Sequence, residues 1–229
     1  MRIADMNWMQ LADYLAHDDR AVVPLGSTEQ HCYQSLTTDL LLSERLAAEA
    51  CAPLGVPVFP GLAYGIVPDL LAFPGTVSLR VSTFVALLRD VLDSLASHGF
   101  RRIILLNAHG GNSPAGLLAT EWMADHPGHR AVLHDWWGGP RLRRALTDID
   151  PVGSHGSWMD NFPWNRVAPS PETAKPMIDA QQLRGRSPVE VREVLGDGNF
   201  GGVYARPDDV MIPIWVEAVE ETRNFIAQF

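Results

Sequence analysis

The chain alternates between short apolar runs and longer stretches with apolar residues at helical spacing. Short runs of this kind predict strands buried on both faces, and the longer stretches predict amphipathic helices. The predicted strands are 21–26, 56–60, 103–106 and 131–137, and the helices predicted among them are 8–16, 40–52, 83–97 and 114–125. Strands that alternate with helices form βαβ units. The sequence therefore predicts an α/β fold of three layers, α/β/α, with a mostly parallel central sheet.

The second half of the chain has a less regular pattern. Its segments are predicted as an irregular stretch at 138–166, a weak helix at 179–195 and a C-terminal helix at 214–229. Gly185 and Pro188 are expected to interrupt the weak helix, because both residue types disfavour helix interiors. A structureless stretch as long as the first is uncommon in a compact domain and is usually functional. No repeat or low-complexity linker divides the chain, which predicts a single domain over 1–229.

Composition narrows the possible functions. Hydrophobic residues make up 46% of the 229 residues and charged residues 20%, which leaves enough apolar material for a sizeable core. A net charge of -9 argues against a nucleic-acid partner, which would require a basic surface. We expect no membrane partner, because no stretch is long and apolar enough to span a bilayer. Two cysteines are too few for a disulfide scaffold, and the N-terminus lacks the apolar region of a secretory signal, so a cytoplasmic protein is expected.

The most informative polar residues follow the predicted strand 103–106, in the run Asn-Ala-His-Gly-Gly-Asn at 107–112. In an open α/β sheet, ligands bind at the carboxyl ends of the strands. The adjacent glycines Gly110 and Gly111 let the backbone turn tightly and approach another group closely. His109 is therefore a candidate functional residue, although a histidine at a strand end can also simply cap a loop.

Carboxylates and imidazoles also follow the first and the last of these strands. Glu29, His31 and Asp39 follow the first, and His155 and Asp160 lie in the irregular stretch after the last. Such groups are typical ligands of borderline divalent ions such as Zn, Mn or Fe. In an extended segment Glu29 and His31 would point to the same side, and Asp39 could bridge two metals with its two oxygens. The alternatives are that Asp39 only caps the helix that follows it and that the other groups are solvated.

Several motifs together resemble the creatininase (creatinine amidohydrolase) family. They are VPLGSTEQH at 23–31, Thr-Asp at 38–39, Phe-Pro-Gly-Thr at 73–76 and Asn-Ala-His-Gly-Gly-Asn at 107–112, in the family's order. The run Gly-Val-Tyr-Ala-Arg-Pro at 202–207 is similar to the family's ending. The resemblance implies an α/β fold, two divalent metal ions per chain, hydrolysis of amide-type C–N bonds in a small-molecule substrate, and assembly into homo-oligomers, commonly hexamers.

By this resemblance, four residues fall on the family's metal-ligand positions, with the aspartate as the bridge: Glu29, His31, Asp39 and His109. Creatininase itself has a further glutamate two residues after the histidine, and Gly111 stands at that position here. Members with the His-Gly-Gly-Asn motif carry a later His-Ala-Gly-Glu-x-Glu-Thr-like stretch, which 155–161 resembles. The resemblance therefore implies that Asp160 supplies the remaining ligand, and the alternative is an ordinary loop carboxylate.

The chain departs from the family's pattern near the expected substrate pocket, with Trp158 in place of a glutamate, Leu70 in place of a histidine and Cys32 in place of a common glycine. These departures leave the substrate open. The residues predicted to bind substrate are Ser78, Gly110, Gly111, Asn112, Trp136 and Trp158. Tryptophan rings would favour a flat or cyclic substrate, and the glycine-rich turn would lend backbone donors.

The predicted function is a metal-dependent amidohydrolase that cleaves an amide, lactam or formamide bond through a hydroxide held between the metals. The two metals are assigned in turn to Glu29, Asp39 and His109, and to His31, Asp39 and Asp160. Glu29 and His155 are predicted as catalytic residues, with His155 donating a proton to the leaving nitrogen unless it is only packed in its loop. The alternatives are a peptidase acting on a small modified peptide and a non-catalytic metal-binding member of the family.

Overall fold

The computed structural model describes the whole of residues 1–229. At its centre three strands form a parallel sheet in the order β1-β2-β3, where β1 is Arg20–Leu25, β2 is Arg102–Asn107 and β3 is Arg130–Asp135. The register pairs Leu25 with Asn107 and Asn107 with Asp135, so the three strands end at the same edge. Residues that follow the strands are therefore brought together at that edge.

The strand predicted at 56–60 forms isolated pairings along the outer edge of β1. The Phe59 N–H donates to the Val22 carbonyl at 2.8 Å, and the Val22 N–H donates to the Pro57 carbonyl at 3.1 Å. Pro57 and Pro60 have no N–H to donate, so a regular ladder cannot form there. The chain nevertheless follows β1 as far as its last residue and reaches the edge of the sheet where the strands end.

Seven α-helices cover the two faces of the sheet: α1 Trp8–Leu15, α2 Thr38–Cys51, α3 Val81–Ser97, α4 Pro114–Asp125, α5 Pro140–Ile149, α6 Pro188–Leu195 and α7 Asp208–Gln228. On one face Val22 and Ile104 pack into a core with side chains of α2, α5 and α7. On the other face Val23 and Leu105 pack with α3 and α4. The predicted three-layer α/β/α arrangement is confirmed. None of the helices combines the length and the apolar character that crossing a bilayer would need.

Three helices in the second half differ from the expectation. α5 lies within the stretch expected to be irregular, and its buried face is narrow because only Leu142 and Leu146 are buried in it. Pro188 begins α6 instead of interrupting it, which agrees with the tolerance of the first helical turn for proline. α7 begins at Asp208 and keeps Pro213 inside it, so the predicted start at residue 214 is wrong.

Two element ends differ from the prediction in ways that affect the site. α2 begins at Thr38, and its N-cap is Thr37, so Asp39 lies in the first turn and is not the cap. The Asp39 carboxylate is therefore available to groups at the strand ends. β3 ends at Asp135, two residues short of the prediction at 131–137, and Trp136 enters a short 3-10 helix beyond it.

Candidate metal centre

A first group of possible ligands forms where β1, β2 and α2 meet. Glu29 follows β1, His109 follows β2 and Asp39 lies on the first turn of α2, and all three residues are buried. His109 Nδ1 lies 2.8 Å from Glu29 Oε2 and 3.1 Å from Asp39 Oδ2. One ligand atom from each residue lies within 4.8 Å of the others, close enough for the three to hold one metal ion.

A second group lies beside the first and consists of His31, His155 and Asp160, whose ligand atoms also lie within 4.8 Å of one another. Asp39 connects the two groups, because its Oδ1 lies 3.1 Å from His31 Nε2 while its Oδ2 faces His109. The structure thus brings together all five residues expected as ligands, including Asp160 from the distant loop. It also places His155 next to them, a residue that the sequence indicated among the possible ligands and that was then assigned to proton donation.

Backbone hydrogen bonds orient two of the imidazoles. His109 Nε2 donates to the Ile66 carbonyl at 2.9 Å, and His31 Nδ1 donates to the Glu29 carbonyl at 3.2 Å. In each ring the other nitrogen is left to face the carboxylates. Metal-binding histidines characteristically hold their second nitrogen in this way. Together with three carboxylates, these free imidazole nitrogens form a set of ligands that fits a borderline divalent ion such as Zn, Mn or Fe.

Burial and neighbouring charges shift the pKa values of the groups in the site. Burial disfavours a charged imidazole, but the carboxylates of Asp39 and Glu29 outweigh it and raise the pKa of His31 to about 10. Burial is similarly outweighed at His109, whose hydrogen bonds to Asp39 and Glu29 raise its pKa to about 11. Burial would raise the pKa of Asp39, yet the two imidazoles hold it well below its usual range. Burial dominates at Asp160 and raises the pKa of its carboxyl group.

These groups open into a cavity of about 240 Å³. Its apolar wall includes Trp136, Trp137, Leu146 and Met159, and Gly110 lines it beside the ligands. Trp136 and Gly110, which were both predicted to bind substrate, therefore line the cavity. The aromatic wall at Trp136 and Trp137 was expected from the sequence. The sequence did not indicate Leu146 or Met159, since α5 and the turn at Trp158–Asp160 were not recognised as elements. A larger cleft of about 590 Å³ lies elsewhere, but its lining includes no histidine.

Four residues expected to bind substrate do not line this cavity. Trp158 is fully buried, and its Nε1 donates to the Val152 carbonyl at 2.9 Å, because the short helical turn directs it into the core and Asp160 towards the ligands. The other three hold the loops around the site. Asn112 Nδ2 donates to the Gly26 carbonyl, Ser78 Oγ accepts from the Val67 N–H, and Gly111 packs against the Ile66 carbonyl.

The chain belongs to the creatininase family. The model of that family, described as creatinine amidohydrolase, matches residues 4–169. The creatinine amidohydrolase of Pseudomonas putida is 32% identical over 118 residues, which cover 48% of this chain and 45% of that protein. The 3-dehydro-scyllo-inosose hydrolase of Thermotoga maritima is 34% identical over 107 residues, covering 46% and 34% of the two chains. The mycofactocin precursor peptide peptidase of Mycolicibacterium smegmatis is 38% identical over 101 residues, covering 41% and 40%.

The matched segments therefore span less than half of each of these relatives. Solved structures match over more of the chain. A crystal structure of creatinine amidohydrolase (creatininase) has a TM-score of 0.78 at 22% identity and covers 99% of this chain and 96% of that one. A structure described as creatininase Mn has a TM-score of 0.77 at 23% identity, with coverage of 99% and 97%. At this level of identity, these structures establish the shared fold.

Proposed function

We propose that this chain is an amidohydrolase that uses two divalent metal ions, Zn, Mn or Fe, to hydrolyse an amide, lactam or formamide bond of a small substrate. The observation that carries the proposal is the position of Asp39, whose two carboxylate oxygens face two separate groups of ligands. Family membership supports the class of reaction, and solved creatininases described as Mn and Zn-Zn types support the class of metal.

The ligands divide naturally between the two ions. Glu29, Asp39 and His109 would hold one ion, and His31, Asp39 and Asp160 would hold the other. When bound, two such ions lower the pKa of water and polarise a carbonyl oxygen. The protein's own contribution is to place three carboxylates and two imidazoles together with fixed orientations, and of these five only Asp160 is partly exposed.

His155 is the group best placed to carry a proton to the leaving nitrogen. Its side chain is 23% exposed, whereas those of His31 and His109 are 1% and 8% exposed. Its Nε2 lies 3.6 Å from Glu29 Oε1, the carboxylate oxygen that does not contact His109. In the proposed mechanism Glu29 would hold His155 beside the reacting bond in addition to serving as a ligand.

The cavity favours a compact and flat substrate. Its volume of about 240 Å³ is below the range typical of sites for drug-sized ligands, which supports a small cyclic amide over a peptide. Trp136 and Trp137 line the cavity beside the ligands with their rings perpendicular to each other, and an aromatic ring face stacks well against a planar group.

Metal analysis of purified variants tests the proposal. We expect the wild-type protein, loaded with Mn²⁺ or Zn²⁺, to retain two equivalents, and Asp39→Ala to lose metal and activity in a screen of lactams and formamides. Asp69→Ala, which removes an exposed carboxylate, is the control for charge and should bind like wild type. His155→Ala should keep its metal while turnover falls roughly 100- to 10,000-fold. Unchanged metal stoichiometry in Asp39→Ala would overturn the bridging role.

A further inference from the structure

The segment Gly65–Ile66–Val67, here called the 65–67 segment, lies directly against the His-Gly-Gly-Asn turn. The Ile66 carbonyl accepts a hydrogen bond from His109 Nε2 at 2.9 Å. This bond requires a proton on Nε2 in either charge state of the ring. It therefore leaves Nδ1 to face the carboxylates of Glu29 and Asp39, at 2.8 and 3.1 Å.

Two glycines make this close approach possible. A Cβ on Gly111 would overlap the Ile66 carbonyl oxygen and would lie 2.5 Å from His109 Nε2. A Cβ on Gly65 would lie 2.5 Å from Asn112 Oδ1 and 3.0 Å from His109 Cδ2. Neither glycine has a left-handed backbone, so both are needed for space and not for conformation.

The 65–67 segment is also fixed from its other side. The Val67 N–H donates to Ser78 Oγ at 2.9 Å, and the Leu79 N–H donates to the Gly65 carbonyl at 2.8 Å. Ser78 Oγ in turn donates to the Leu79 carbonyl. The Ile66 carbonyl is thus held in place by bonds that do not involve His109, and a side chain at position 111 would have to break them or turn the imidazole.

We propose that Gly111 is a positioning residue, which lets the Ile66 carbonyl fix the His109 ring so that Nδ1 is presented to a metal ion. The proposal rests on the metal centre proposed above. It gives a physical reason for the absence of a side chain at position 111, since a Cβ there would displace the 65–67 segment. Ser78 supports the same arrangement from a greater distance.

The test compares Gly111→Ala and Gly65→Ala with Gly110→Ala, whose Cβ would meet no atom within 4 Å. Binding of Mn²⁺ is measured by calorimetry and metal analysis, and turnover is not the readout because Gly110 lines the cavity. We expect Gly111→Ala and Gly65→Ala to weaken one of the two equivalents roughly 10- to 100-fold, as for loss of other groups that orient ligands, while Gly110→Ala binds like wild type. Equal Mn²⁺ affinity in Gly111→Ala and Gly110→Ala would overturn the proposal.

Imidazole NMR of the metal-free protein provides a second readout. The His109 Nε2–H signal should be protected from exchange in wild type and in Gly110→Ala, and lost or shifted in Gly111→Ala. If Gly111→Ala does not fold, Ser78→Ala tests the same arrangement, and it should show a weaker loss of both protection and Mn²⁺ affinity. If wild type binds no Mn²⁺, the proposed metal centre fails, whereas an unchanged Nε2–H signal in Gly111→Ala shows that Gly111 does not position His109.

Discussion

At the scale of single residues, the site depends on burying carboxylates beside imidazoles. Asp39 is buried, and it accepts a hydrogen bond from Ser27 Oγ at 2.8 Å in addition to its contacts with His31 and His109. An ionised carboxylate is costly to bury unless charged partners and hydrogen bonds compensate for the lost water. Asp39 has both kinds of partner, which explains how it can remain charged and serve two groups of ligands at once.

Cys32, which follows the ligand His31 in the chain, has a strained backbone conformation. It is the one residue other than glycine with a positive φ, at 53°, and burial raises the pKa of its thiol to about 12. The left-handed region costs a residue with a Cβ roughly 1–2 kcal/mol. We expect Cys32→Gly to have a free energy of unfolding about 1 kcal/mol higher than Cys32→Ala, measured by urea denaturation. Equal stability of the two variants would mean that position 32 carries no strain.

At the scale of elements, the sequence could predict those parts of the site that are positioned by the ends of the strands. Apolar runs located the three strands, and parallel strands end at one edge, so Glu29, His31 and His109 could be expected to meet there. The orientation of Trp158 could not be predicted, since neighbouring residues of a short helical turn point to different surroundings. The contact of Gly111 with Ile66 was also unpredictable, because it joins two loops that share no periodic pattern.

Helix α4 follows the His-Gly-Gly-Asn turn directly and holds it against the sheet. Its adjacent residues Leu117 and Leu118 are 80% and 3% exposed, so they form a matched pair on one helix. Leu118→Ala should lower the free energy of unfolding by about 2–5 kcal/mol, since it leaves a cavity in the core. Leu117→Ala should change it by less than about 1 kcal/mol. Thermal and urea unfolding measure both variants, and similar losses would contradict the packing described for α4.

At the scale of the whole molecule, the candidate ligands connect distant parts of the chain. They run from Glu29 to Asp160 and lie within the matched residues 4–169. The segments that carry them include the ends of β1 and β2, the first turn of α2 and the loop after α5. A metal ion held between such segments binds the folded chain in preference to the unfolded one. Metal binding should therefore stabilise the entire fold.

The stability of the metal-free fold should depend on pH in a definite direction. Histidine has a pKa of about 6.5 in an unfolded chain, whereas His31 and His109 have values of about 10 and about 11 in the folded, metal-free protein. The folded state therefore binds more protons between these values, and its stability is fully present below about pH 6.5 and declines as the pH rises towards 10. The carboxylates of Asp39 and Glu29, whose pKa values are lowered, titrate below this window.

A divalent ion takes the place of the same protons, so its affinity should rise as the metal-free fold weakens. We expect the difference in Tm between protein with Mn²⁺ and protein with a chelator to widen steadily from about pH 6.5 to about pH 9. Thermal unfolding at constant ionic strength measures this difference. His109→Gln, which cannot take up the proton, should show a flatter dependence in the chelated sample. Parallel pH curves for the two wild-type samples would contradict a shared position for protons and metal.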